Sequence, residues 1–381
     1  MDFPSKTKSA STSSTPFKSS NDDRIVVIGA GVLGLSVCTL LQSRLPARPV
    51  TLLAAELPST SPDSSPSYTP SYASAWAGAH YRPISPSTPQ LHAEFKLAQR
   101  TFEVMKRIAS ETPKAGVKLM QGVDYFDRPG KGELGMKDGD VYAGPEDGFR
   151  VLQKSELMEG VKWGCEYGTY CINVRVYCGY LLKEFQEKGG KIVSRRIGDA
   201  KQAFSLNEDE IGGEVSTVVN CSGTNFGKDP KIKLIRGQTV LVKNPYHRTL
   251  NRQYADGRWA TLIPRPLDGG TIVGVTKEIG DEEETARPET RQLLLKQSIE
   301  CFPDFVEKLE DFDVISDNVG RRPFREGGVR MEVEELDDGR KPIVHGYGTG
   351  GRGYELSWAI AEQLVELLNP GGAVQATTVL P

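Results

Sequence analysis

The chain has 381 residues, 38% hydrophobic and 25% charged, with a formal net charge of −3 and a pI near 6.0. That composition fits a soluble globular protein with room for two domains, and gives no case for binding nucleic acid or an anionic membrane surface. No apolar run reaches the roughly 20 residues of a membrane span. Six cysteines without a C-x-x-C pair and four scattered histidines make a disulfide framework and a histidine-based metal site poor expectations, so no metal ligands are assigned.

Residues 1–22 are rich in Ser and Thr without hydrophobic periodicity, and are expected to form a disordered tail. They lack the apolar core of a signal peptide and the arginines of a transit peptide. The chain ends Val379-Leu-Pro381, which is no Ser-Lys-Leu-type signal. A cytoplasmic location is the expectation, with a peroxisome left open.

The stretch Ile25-Val-Val-Ile28 reads as a buried parallel strand and runs into Gly29-Ala30-Gly31-Val32-Leu33-Gly34. A helical pattern follows in Leu33, Val37, Leu40 and Leu41. In a dinucleotide site the first glycine makes the tight turn, the second admits a pyrophosphate, and the third lets helix and strand pack closely. The helix N-terminus adds free N–H groups and positive dipole. A second strand, Val50-Thr-Leu-Leu53, leads to Glu56, placed to accept from a ribose hydroxyl.

Past a Ser/Pro-rich loop, Ser71-Tyr-Ala73-Ser-Ala-Trp-Ala-Gly78-Ala-His80 surrounds one Trp with small residues, which suits backbone approaching a planar ligand. From Pro89 to about Ser110, Leu91, Phe95, Ala98, Phe102 and Met105 recur at helical spacing. Short strand-like pieces between 115 and 155 suggest hairpins. Strand, helix and strand are expected over 170–204, then the apolar strand Val215 to Asn220 with Ser222 and Gly223 at its end. Residues 234–282 read as an antiparallel meander, and Glu289 to Cys301 as a helix. Val319 to Arg330 reads as a loop carrying four arginines, one of them a candidate carboxylate clamp. Finally a strand from Pro342 enters a second glycine-rich turn and helix (Gly350, Gly351, Gly353, Tyr354, Glu355), able to aim another helix N-terminus at the same ligand. Two such turns at opposite ends of the chain favour FAD over a diffusible nicotinamide.

Several of these pieces together resemble the D-amino-acid oxidases, including the D-aspartate oxidases, and most closely the fungal members. They are Val26 to Ser36, Ala73-Ser-Ala-Trp-Ala-Gly-Ala79, Val218-Val-Asn-Cys-Ser-Gly223, Ile235-Arg-Gly-Gln-Thr-Val-Leu-Val-Lys243, Ile263-Pro-Arg-Pro266, Asn318-Val-Gly-Arg-Arg-Pro323, Val344-His-Gly-Tyr-Gly348 and Gly353 to Trp358. The resemblance implies an FAD-dependent oxidase turning a D-amino acid, O₂ and water into a 2-oxo acid, ammonia and H₂O₂. It implies no side-chain acid or base, because catalysis is positioning and flavin electronics. The family's carboxylate-binding arginine falls on Arg322. Two family tyrosines fall on Thr261 and Lys277, and Glu355 replaces an uncharged residue near the flavin. Lys277, with Arg321, would favour an acidic D-amino acid by pairing a second carboxylate.

The resulting expectation is an α/β fold, α+β overall. A Rossmann-like FAD-binding domain takes residues 23–90, 156–234 and 318–381, and a substrate domain with a mixed or antiparallel sheet takes 91–155 and 235–317. Expected partners are a small amino acid and O₂, with a homodimer allowed. Two alternatives remain: a flavoenzyme of the same scaffold acting on another amine or imino acid in biosynthesis, and a weakly active flavin-binding protein.

Overall fold

The computed structural model describes residues 24–61, 67–140, 142, 148–336 and 341–368. The expected tail, 1–22, lies outside them. In chain order the elements begin β1 (Arg24–Ile28), α1 (Val32–Arg44), β2 (Val50–Ala54), α2 (Pro89–Glu111), β3 (Val117–Phe126), α3 (Lys131–Leu134), β4 (Arg150–Val151) and β5 (Trp163–Ile172). They continue with α4 (Val174–Glu187), β6 (Lys191–Ser194), α5 (Glu208–Ile211), β7 (Val215–Asn220), β8 (Ile232–Val242), β9 (Thr249–Gln253), β10 (Trp259–Pro264) and β11 (Thr271–Val275). The last are β12 (Glu278–Ile279), α6 (Pro288–Cys301), β13 (Val314–Arg325), β14 (Arg330–Glu334), β15 (Ile343–Tyr347) and α7 (Gly353–Leu368).

The first sheet has six strands in the order β14-β15-β7-β1-β2-β6. All its pairs are parallel except β14 with β15. The β1 run Ile25–Ile28 is apolar throughout because helices cover one face and a second apolar layer covers the other. Every residue of α1 from Val32 to Leu41 is buried. A helix apolar all round must be enclosed, and α1 sits between the sheet, α4 and α7. Full burial of Leu35, Leu40 and Leu41 contributes about 1.5–3 kcal/mol each.

The second sheet has nine strands, β12-β8-β11-β10-β9-β3-β5-β4, with β13 also pairing β8. Here polar and apolar side chains share strands, and several polar ones are buried.

The domain division expected from sequence departs from the sheets in three places. β5, inside the stretch 156–234, pairs β3 from Val117↔Ile172 to Phe126↔Trp163 and so belongs to the nine-stranded sheet. β13, reaching past residue 318, joins that sheet through β8. α2, inside 91–155, packs Leu97, Ala98, Phe102, Met105 and Ile108 into the core of the six-stranded layer beside α7. Local expectations differ too. The pieces within 117–126 form one continuous strand, and the arginine loop is mostly strand, because its backbone pairs β8 out to Arg325↔Ile232.

Candidate active site

A cavity of about 610 Å³ follows the carboxyl ends of β1, β2, β7 and β15 and continues against the nine-stranded sheet. In an open α/β sheet such strand ends are where ligands bind. Gly29, Ala30, Gly31, Val32 and Leu33 line it; Gly34 does not. A Cβ on Gly34 would lie 1.9 Å from the Gly29 carbonyl oxygen, so Gly34 serves the close packing of α1 on the loop. Gly29 turns the chain at φ +98°, where a Cβ would sit 2.5 Å from the Cys221 carbonyl oxygen.

The segment Ser71–Ala79 straps this loop. Val32 N donates to Ser74 Oγ at 3.0 Å, and Tyr72 OH to the Ala30 carbonyl at 2.7 Å. Ser71, Ala73 and Gly78 reach the cavity, as do Ser222 and Gly223 after β7. Asn220 sets that last turn: its Oδ1 accepts from Ser222 N at 3.2 Å, and its Nδ2 lies 3.2 Å from His345 Nδ1. Burial holds His345 below its usual pKa, which suits a neutral ring 2.9 Å from Glu334. At the mouth, Glu56 accepts from Thr69 N at 2.8 Å and from Thr69 Oγ1 at 2.6 Å, leaving lone pairs for a further donor.

Gly350, Gly351, Gly353, Tyr354 and Glu355 line the cavity where α7 begins. Tyr354 OH donates to the Ser74 carbonyl at 2.8 Å, tying the two turns together. Glu355 brings no bare charge: Arg352 Nε donates to it at 2.8 Å, and Arg352 also pairs Glu94 at 2.6 Å.

Beyond this end the lining changes to side chains of the nine-stranded sheet. Among the four arginines of Val319–Arg330, Arg321 pairs Glu284 at 3.2 Å, Arg325 pairs Asp229 at 2.8 Å and Arg330 pairs Glu332 at 2.6 Å. Arg322 has no carboxylate partner among the described residues. It points into the cavity, donates to the Thr276 carbonyl at 3.3 Å, and is pushed below its usual pKa by burial. Its guanidinium lies over Gly237, where a Cβ would meet Nη1 at 2.3 Å. Arg321, one residue earlier on the strand, takes the opposite side and does not line the cavity.

Thr261 and Lys277 both reach the cavity, Thr261 buried and Lys277 exposed. Thr261 Oγ1 donates to Asn251 Oδ1 at 3.2 Å; Lys277 has no partner among the described residues. Sequence reasoning missed Asn251, Trp259, His80 and Arg82, which line the same end. His80 is pushed down to about 3, by burial first and then by the charge of Arg82.

A family model described as FAD dependent oxidoreductase matches residues 24–367. The chain belongs to this family. It is 50% identical over 355 residues to a D-aspartate oxidase of Talaromyces thermophilus, covering 91% of this chain and 95% of that one. It is 31% identical over 367 residues to a D-amino-acid oxidase of Fusarium vanettenii, covering 91% and 97%. Among solved structures, glycine oxidase from Bacillus cereus ATCC 14579 superposes with a TM-score of 0.65 at 15% identity, over 90% of this chain and 96% of that one.

The cofactor of this family is FAD, and the cavity fits it. Its walls near α1 are small residues, Gly31, Ala73, Ser222 and Gly223 among them, with little side chain to hold a ligand off. Backbone can therefore approach a long planar ligand from several sides. No helix of the described residues is long and apolar enough to cross a membrane, and no cluster of metal-ligating side chains occurs among them.

Proposed function

We propose that this FAD-dependent oxidase acts on D-amino acids at Cα, acidic ones best, giving a 2-oxo acid, ammonia and H₂O₂ from substrate, water and O₂. Arg322 carries this reading: a half-buried guanidinium without a carboxylate partner among the described residues, facing a cavity, is built to receive one. The names of the D-aspartate oxidase and D-amino-acid oxidase relatives support it. Bound FAD supplies the hydride acceptor and its reoxidation by O₂.

The chain's own residues do the rest by placement. Arg322 would hold the α-carboxylate, with Gly237 giving the guanidinium room. Gly31, Gly29, Glu56, Ser71, Ala73, Ser222, Gly223 and the Gly350–Glu355 turn would hold the cofactor. Ile235, Ile263 and Ile272, apolar side chains on the cavity wall, would keep water from the reacting carbon. His80, held neutral at working pH, adds no charge there. Lys277 stands where it can attract a second carboxylate.

Peroxide release from D-Asp, D-Glu, D-Ala and D-Met tests this. The acidic pair should give the highest kcat/KM; preference for the neutral pair would sink the acidic part of the proposal.

A further inference from the structure

A second guanidinium faces the cavity, and its surroundings differ from those of Arg322. Arg82 lies just after the Ser71–Ala79 strap, with its side chain 22% exposed. Its Nε donates to Asp124 Oδ2 at 2.9 Å, and its Cζ sits 4.4 Å from the centroid of the Trp259 ring. Nη1 and Nη2 have no hydrogen-bond partner among the described residues, although a guanidinium carries five N–H donors. One edge is anchored and the other is open to the cavity.

The anchor is itself firmly held. Asp124 is 1% exposed and also accepts from Tyr167 OH at 2.8 Å and Asn251 Nδ2 at 2.7 Å. Asn251 in turn accepts from Thr261. These side chains come from β3, β5, β9 and β10, with Thr261↔Asn251 and Asn251↔Asp124 as cross-strand partners. A buried carboxylate held by three donors is fixed in place and in turn holds its arginine in one orientation. Thr261, standing where the family resemblance places a tyrosine, is here the outer member of this row.

The position relative to Arg322 follows from strand pairing. Trp259, beneath Arg82, pairs Val275. The next residue, Thr276, offers its carbonyl to Arg322. Two guanidiniums thus reach the same stretch of the cavity wall.

We propose that Arg82, anchored by Asp124 and stacked on Trp259, binds the side-chain carboxylate of an acidic substrate whose α-carboxylate sits on Arg322. Asp124 is a positioning residue, acting through Arg82. This rests on the oxidase reading above and assigns its selectivity. The exposed Lys277 must be ordered from solvent to do the same work, whereas Arg82 is already ordered, and a fixed planar fork loses less freedom on binding.

The test compares D-aspartate with isosteric, uncharged D-asparagine, using FAD-loaded protein and peroxide release. Arg82→Met should lower kcat/KM for D-aspartate by roughly 10- to 100-fold, mostly through KM, with D-asparagine changed by less than about threefold. Arg82→Lys should recover part of the loss. Because Arg82→Met leaves a buried carboxylate unpaired, the double variant Arg82→Met, Asp124→Asn is measured as well and should show the same loss of discrimination. Malonate and acetate binding, read by tryptophan fluorescence, gives a readout without turnover: malonate should weaken in the variants and acetate should not. Equal losses on D-aspartate and D-asparagine, or unchanged discrimination, overturn the role of Arg82 while leaving the oxidase reading intact. If the wild-type protein oxidises no D-amino acid, that reading fails instead.

Discussion

At the six-stranded sheet the cavity is walled by backbone and small side chains, Gly29, Gly31, Ala73 and Gly223, which leave room beside the strand ends. At the nine-stranded sheet it is walled by Arg322, Arg82, Trp259, Asn251 and Thr261, whose roles depend on partners brought in by neighbouring strands. On the proposed reading the first region recognises a large ligand by allowing close approach, so steric changes should be severe and charge changes mild. The second would recognise a small ligand by charge, so the reverse should hold.

The sharpest way to break this contrast lies at the backbone end. Gly34→Val places side-chain atoms where even a Cβ lies 1.9 Å from the Gly29 carbonyl oxygen. The variant should lose at least about 2 kcal/mol of stability and emerge without flavin, read from the ratio of visible flavin to protein absorption. Full flavin loading would refute the packing role.

At the charged end, Arg322→Leu should keep its flavin but lose about 10²- to 10³-fold in kcat/KM for D-aspartate. Loss of flavin with normal kinetic constants in the remaining holoenzyme would reverse the assignment.

His80 sharpens the contrast through pH. Unfolded, it takes a proton near pH 6.5; folded, it refuses one until about 3. The unfolded state therefore binds more protons between these values, and stability falls as pH drops below 6.5, by roughly 2 kcal/mol at pH 5. Urea unfolding at pH 7.5 and 5 should show this difference, and His80→Asn should remove that part of the slope. An unchanged slope contradicts it.

The smallest effect is expected from Lys277→Met. An exposed, unfixed cation contributes about 0–1 kcal/mol, so KM for D-aspartate should rise less than about fivefold. A larger rise would shift side-chain recognition from Arg82 to Lys277.

The same contrast explains what the sequence revealed. The glycine loop is contiguous, and each glycine answers a local steric demand, so Gly29, Gly31 and the Gly350 turn were legible from spacing. Arg322 was visible through its motif, but its setting was misread as loop, since Gly320-Arg-Arg-Pro323 shows no apolar alternation and only pairing with β8 makes it a strand. Arg82, Asn251 and Asp124 belong to no motif and meet only across β3, β9 and β10. One clue was present: Asp124 interrupts the otherwise apolar run Val123-Asp-Tyr-Phe126, and a charge at such a position demands a buried partner.

The central claim is that one FAD lies with its pyrophosphate at the glycine loop and its reactive ring near Arg322, open to a D-amino acid. Anaerobic mixing of the FAD-loaded protein with D-aspartate measures this most directly. The visible flavin absorption should bleach with D-aspartate and persist with L-aspartate. Absorption that persists with D-aspartate and with every other D-amino acid of the panel would contradict the account.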